Sequence, residues 1–429
     1  MTRKALRTIG RIISGCSCRG ISAYLALAAV LPLASSPIFA LDYYWDSNTP
    51  RPGALVQTMR LNVDAYLPWS SGGSAKAMGM GGAFTAIADD IGGAVEYNPA
   101  GLTRLGRADI GALVTANHNT KLNAQGRKTN EWTIAPTYAG AAFRVGRLVC
   151  ALSRKQPQAS STYLKFSGVR NNLYAPDGAA MSYDTLSDTL DTKDLNTYVL
   201  TAAMSVDKLS VGANYNSIKG EVTRAERGRI SSQSAFWFTG KNNRFDATEK
   251  VNFYGYTMDF GALLDLGTVR IGATARNFMG GVAIKRNIMW QDNFGPASGD
   301  TWNWISPAHK ETIARFAPTY TAGAAFNIGN RLAVDLDYVN VRLDDVTKAL
   351  GRLGAEVGVI PGFLAVRGGL KCDFNSLIED QNIRTNEYFL GAGLKMPALT
   401  ADASVSFAQS RAGSSGGNVT GSVSAMLKF

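Results

Sequence analysis

The chain has 429 residues, room for one large domain or two ordinary ones. Apolar residues make up 45% of it and mean hydropathy is −0.05, which excludes a helical membrane protein. The formal charge of +11 is inflated by Arg3, Lys4, Arg7, Arg11 and Arg19; without these five, 39 basic residues stand against 33 acidic, or +6, scattered along the chain, so no nucleic-acid partner is expected.

Residues 1–40 read as a cleaved secretory signal: a basic start, an apolar core near Ile21–Leu33, and Ile38-Phe39-Ala40 as the cleavage end. Ile13-Ser14-Gly15-Cys16 mimics a lipoprotein box, but no apolar core precedes it. An uncleaved anchor is the other alternative, and Pro32 with Ser35-Ser36 interrupts it. Residues 41–73 carry Pro50, Pro52, Pro68 and the aromatic run Tyr43-Tyr44-Trp45, and read as an irregular N-terminal arm.

Residues 74–106 form the least strand-like stretch, rich in Gly and Ala. Ala83–Asp90 suits a short helix, which Gly92-Gly93 would break. Asn98 before Pro99 suits a helix start, since Asn accepts orphan amide bonds and Pro needs no N–H there. Such a segment buries little surface alone and needs a wall around it.

From residue 107 to 429 the period becomes two. Leu209, Val211, Ala213 and Tyr215 alternate with Ser210, Gly212 and Asn214; Leu332–Tyr338 and Leu399–Phe407 behave alike. Six tight joints recur, at 145–147, 206–208, 266–268, 328–330, 360–362 and 396–398. Between them lie longer links, at 118–131, 156–194, 220–250, 281–312, 342–350, 372–386 and 410–418. Alternating short turns and long links fit an up-and-down transmembrane barrel of about fourteen strands, which a soluble sandwich does not predict. The ending Val423, Ala425, Leu427, Phe429 on one face resembles the recognition signal of outer-membrane barrels, which implies the barrel assembly machinery as a partner. After cleavage only Cys150 and Cys372 remain, expected as two unrelated wall thiols although export permits a bridge.

The run Ala77-Met78-Gly79-Met80-Gly81-Gly82-Ala83-Phe84, the pair Asp89-Asp90 and Asn98-Pro99-Ala100-Gly101-Leu102 together resemble the N-terminal hatch of FadL-like outer-membrane proteins. The resemblance implies an all-β, antiparallel barrel of about fourteen strands in the bilayer of a diderm outer membrane, plugged by a hatch of short helices. It implies passive uptake of long-chain fatty acids or other hydrophobic compounds, with lateral or periplasmic release. The lateral gap would fall near the third strand, Arg147–Gln156, followed by a long loop with Pro157. A PorV-like scaffold for secreted proteins and a surface adhesin are the alternatives.

From the same resemblance, Met78, Met80, Phe84, Asn98, Pro99 and Ala100 would contact ligand in the hatch. Phe236, Trp237, Phe238, Trp290, Trp302 and Trp304 would form an outer greasy groove, with an interfacial aromatic girdle as the blander reading. Lys76, Arg104 and Arg107 are candidate head-group cations, unless they pair with Asp89, Asp90 or Glu96. No catalytic residue, cofactor or metal is expected: both histidines, His118 and His309, fall in links, Gly413-Ser414-Ser415-Gly416-Gly417 lacks the helix of a nucleophile elbow, and the acids lack calcium-loop spacing.

Overall fold

A computed structural model describes residues 73–122, 128–174, 180–232, 244–292, 303–314, 318–328, 332–343, 346–373, 386–409 and 418–429. The expected signal and arm lie outside the described residues, as do Phe236, Trp237, Phe238 and Trp302.

The wall consists of β1 (Ala108–Leu122), β2 (Lys128–Val145), β3 (Leu148–Tyr174), β4 (Ala180–Val206), β5 (Leu209–Ser232), β6 (Arg244–Asp265), β7 (Val269–Asp292), β8 (Asn303–Ala314), β9 (Thr319–Ile328), β10 (Leu332–Leu343), β11 (Val346–Ile360), β12 (Leu364–Asp373), β13 (Asn386–Lys395), β14 (Leu399–Gln409) and β15 (Asn418–Lys428). Neighbours pair antiparallel, and β15 returns to β1 through Asp109↔Lys428 to His118↔Val419, closing the sheet. The inner half of β7 pairs with β9 and its outer half with β8. β8 and β9 therefore share one stave, and the closed barrel has fourteen. Closure pairs every stave with two neighbours at the short-turn end, where a spanning sheet must satisfy its backbone internally.

The two-residue period sorts the faces. Leu336 and Tyr338 point outward, about half exposed, while Asp335 and Asp337 between them are buried in the lumen. Val211 and Tyr215 likewise face out, and Asn214 faces in. Tyr198, Tyr215, Tyr256, Tyr338, Tyr388 and Phe407 stand exposed towards the long-link side, and Tyr215 stacks on Tyr256 at 5.5 Å. They make the outer girdle of an apolar belt. Among the described residues no helix is long and apolar enough to cross a membrane; the crossing is made by strands.

Three of the long links depart from expectation. Residues 156–194, 220–250 and 281–312 are largely strand, because β3 to β7 run on through them. β3 and β4 each have 27 residues, where a tilted spanning strand needs about ten. The register of this extension sets Asp188 of β4 opposite Lys165 of β3 and Arg227 of β5, and Asp191 opposite Arg224. Trp290 lies in β7 and Trp304 in β8, on strands rather than in a loop.

Inside the wall sit α1 (Ala75–Gly79), α2 (Ile91–Tyr97) and a 3-10 helix, Pro99–Arg104. The expected helix over Ala83–Asp90 is a series of turns, and the real helix runs through Gly92-Gly93. Asp90 caps it, accepting from the Gly93 amide at 2.6 Å. The two glycines are contact points: a Cβ on Gly92 would strike the Gly73 backbone, and one on Gly93 the Phe84 ring. Close approach outweighs helix propensity at these positions.

Candidate functional site

The hatch holds together around Phe84, whose ring meets Tyr97 edge-on at 5.9 Å and lies under the Lys76 ammonium at 5.6 Å. Met80, Phe84, Ala86 and Ala88 are wholly buried. Burying a side chain such as Phe84 contributes about 1.5–3 kcal/mol. A segment this small supplies too little of that to stand alone, so the wall completes its core.

The wall does so at glycines. Gly212 and Gly261 abut Pro99, Gly272 abuts Thr85, Gly354 abuts Met80, Gly369 abuts Gly81 and Gly391 abuts Gly79. Each lies a few residues from the short-turn end of its strand, so together they form a collar at one height. On five of the fourteen staves, β5, β7, β11, β12 and β13, backbone rests on backbone.

Polar bolts reinforce the collar. Asp337 accepts from the Phe84 and Thr85 amides at 3.0 and 3.2 Å and from the Thr85 hydroxyl at 2.8 Å. Asn214 donates to the Val95 carbonyl, and Arg144 to the Thr103 and Leu105 carbonyls. Glu96 is clamped between Lys155 of β3 at 3.2 Å and Arg276 of β7 at 3.0 Å. Burial pushes its carboxyl up, but the two cations more than offset this and hold it below its ordinary value.

Of the six expected hatch contacts, only Met78 lines open space. Met80, Phe84, Pro99 and Ala100 are packed away, and Asn98 is 0% exposed. Asn98 instead joins hatch to wall. Its amide donates to the Thr85 and Ala262 carbonyls, and its oxygen accepts from the Ala100 amide. The expected head-group cations also have other duties. Lys76 pairs with Asp89 at 2.7 Å. Burial pushes Asp89 up, yet Lys76 outweighs it and leaves the carboxyl at about 2; burial together with the Asp89 charge lifts neighbouring Asp90 to about 6. Arg104 is 3.8 Å from Asp265, and Arg107 is exposed at the short-turn end. None of the three lines the chamber above the hatch.

That chamber has a volume of about 230 Å³. Its floor is Met78, Gly81, Gly82 and Tyr97 of the hatch. Its walls are mostly polar: Thr115, Asn117, Thr137, Ser406 and Thr420, with Arg352, Lys371 and Glu387, and Phe389 as the apolar exception. Arg352 was invisible as a site residue in the sequence. Its only signal is a charge at an inward position of β11.

Beside the chamber the wall parts. β2 pairs with β1 from Lys128 to Phe143, yet among the described residues it pairs with β3 only from Val145↔Leu148 to Tyr138↔Lys155. Beyond Lys155, β3 stays with β4 to Tyr174↔Ala180, after a register shift that spans Pro157. Proline has no N–H to continue the ladder. The gap therefore opens above Lys155, whereas Arg147–Gln156 was expected to hold it; Leu148 to Lys155 are themselves paired. The segment beyond is strand, not loop. Thr137, on the chamber wall, is the first β2 residue past the last pair. Cys150 and Cys372 sit unbridged on β3 and β12.

No family model and no curated protein sequence matches this chain. Solved structures do. The Ralstonia pickettii toluene transporter TbuX superposes with a TM-score of 0.61 at 16% identity, over 84% of this chain and 99% of its own. The CymD monoaromatic hydrocarbon channel gives 0.59 at 15% identity, over 84% and 98%. The P. putida toluene transporter TodX gives 0.57 at 13%, over 84% and 99%. At such identities what is shared is the fold, a closed barrel plugged by its N-terminal hatch, in keeping with the resemblance the hatch sequence carries.

Proposed function

We propose that the chain lets hydrophobic compounds, long-chain fatty acids among them, cross the outer membrane without an energy source, entering from the long-link side and leaving sideways between β2 and β3. The observation that carries this reading is the unpaired stretch above Tyr138↔Lys155, next to a chamber whose floor is a bolted hatch. A hatch anchored on most staves favours a path around it over a path through it. The neighbouring structures, described as hydrocarbon channels and toluene transporters, support the same reading. Energetics agree: a sixteen-carbon tail gains on the order of 10 kcal/mol on leaving water. Release into the bilayer keeps that gain, and release into water forfeits it.

The test is a bridge across the gap. With Cys150 and Cys372 changed to Ser, Thr137→Cys and Gln156→Cys are joined by a short bifunctional maleimide in proteoliposomes. Uptake of fluorescent fatty acid or of toluene should fall at least tenfold and stay normal with only one of the two cysteines. Undiminished uptake through the bridged protein removes the lateral route.

A second reading, a scaffold for a secreted partner, is favoured by one observation: β3 to β7 continue as paired strands well past the length a membrane needs.

A further inference from the structure

A strand at the edge of a sheet presents a row of N–H and C=O groups that another chain can pair with. Above the hatch, the run from β3 to β8 is paired internally and parts from its flanks. β3 leaves β2 past Tyr138↔Lys155, and among the described residues β8 pairs with β7 alone. The outer edges of this run are therefore β3 and β8.

The two edges are not alike. On β8, Pro307 falls in the register shift between Ile288↔Ala308 and Trp290↔Ile305. A proline and a bulge both blunt an edge. On β3, the stretch Gln158–Phe166 has neither. It pairs with Leu195–Ser187 of β4 without a shift, and shifts bound it on both sides. Thr162, Tyr163 and Phe166 favour strand, and the stretch holds no proline or glycine. Such a run spans about 30 Å, longer than the commonest strands of about five or six residues. Tyr198 of the girdle lies opposite Arg154, below this stretch, so the edge runs on beyond the apolar belt.

Charge narrows the occupant. β3 has no acidic residue; its charges are Arg154, Lys155, Lys165 and Arg170. The strand on its other side, β4, carries Asp184, Asp188, Asp191 and Asp194 against Lys193 alone. The register sets Asp188 opposite Lys165 and Asp184 opposite Arg170. A second copy joined edge to edge would lay one basic strand against another with no acid to offset them. An acid-rich strand would repeat the relation that β4 already has with β3.

We propose that the Gln158–Phe166 edge is a docking site for an extended acidic segment of a partner protein, added to the sheet as one more antiparallel strand beyond the membrane. Main-chain bonds supply the affinity, and Lys165 with Arg170 selects the sign of the charge. This is independent of the transport reading and gives the scaffold reading a place and a chemistry.

The probe is a fluorescent peptide with the sequence of residues 180–194, offered to the full-length protein in nanodiscs. Anisotropy should show it binding roughly tenfold or more tightly than the same peptide with every Asp changed to Lys. N-methylating every second amide of the probe should abolish binding in one phase of the alternation and spare it in the other, because a strand bonds to a given neighbour through alternate residues. Hydrogen exchange across 158–166 should slow when the probe is added. Lys165→Gln should weaken the probe roughly two- to fivefold, and Lys165→Glu should weaken it further while strengthening the Lys-for-Asp peptide. The milder variant keeps the test valid if the reversal loosens β3 from β4. No binding at millimolar probe overturns the proposal. So does N-methylation that acts equally in both phases, which would make the contact one of charge alone. If the protein is dimeric and its 158–166 amides are already protected without probe, a second copy holds the edge and the proposal fails. None of these outcomes bears on uptake, which the bridge between β2 and β3 tests separately.

Discussion

Replacing Glu96 by Gln leaves the shape of the hatch intact and removes the charge that Lys155 and Arg276 share. The side chains of Glu96, Lys155 and Arg276 are 2%, 9% and 17% exposed, so water compensates little. Removing one member of a buried ion cluster costs about 3–5 kcal/mol, because the remaining charges stay buried and unpaired. At 1.4 kcal/mol per decade, the unseated hatch should become roughly a hundredfold to a few thousandfold more populated. Two measurements read it. Amide hydrogen exchange across α2 should accelerate by that factor, and conductance in planar bilayers should show frequent openings absent from the wild type. Adding Lys155→Met should recover part of the loss, since one stranded cation is gone. Circular dichroism checks that the barrel is intact. Wild-type exchange and a silent baseline in Glu96→Gln would refute the clamp as a fastening of hatch to wall.

Asp337→Leu orphans two hatch amides and a hydroxyl, at about 1–3 kcal/mol for each donor left unsatisfied, so exchange at Phe84 and Thr85 should rise while α2 changes little. Gly369→Val drives a side chain into Gly81 and should unseat α1, seen as added conductance. Gly146→Ala, at φ +61° in a turn with open space, should cost only about 1–2 kcal/mol and leave conductance alone. Asp90, whose pKa in the seated hatch is about 6, binds its proton there before it would in a free chain. Its contribution to seating is fully present below its ordinary value near 4 and is lost as pH rises through 6. Exchange at Gly93, corrected for intrinsic rate, should therefore be slower at pH 5 than at pH 7, and Asp90→Asn should flatten the difference.

Periodicity made the barrel legible: Leu336 out and Asp337 in is a statement the sequence can make by itself, and the tight joints at 145–147 and 266–268 turn where punctuation put them. The hatch was legible as a segment and illegible within. Gly92-Gly93 looked like a helix breaker because propensity is local, whereas the reason for those glycines is Gly73 and Phe84 pressing from outside. The outer links hid strands for a similar reason: 180–194 is polar enough to look like loop, and its register to β3 and β5 is a relation between distant segments. The resemblance made Asn98 a ligand contact, and its bond to Ala262 makes it a joint; Lys76 pairs with Asp89, the alternative to a head-group role that its neighbours already offered. The chamber's own residues come from seven strands and the hatch, and no window of sequence collects them.

The collar also dictates an order of events. Ala75 donates to the Ser424 hydroxyl, a contact 349 positions apart, and the last residue, Phe429, donates to the carbonyl of Ala108. A plug whose main chain rests against that of the surrounding staves is too tightly fitted to be threaded into a finished tube. The hatch must wait, unsupported, until the final ribbon arrives, and the ring is completed around it.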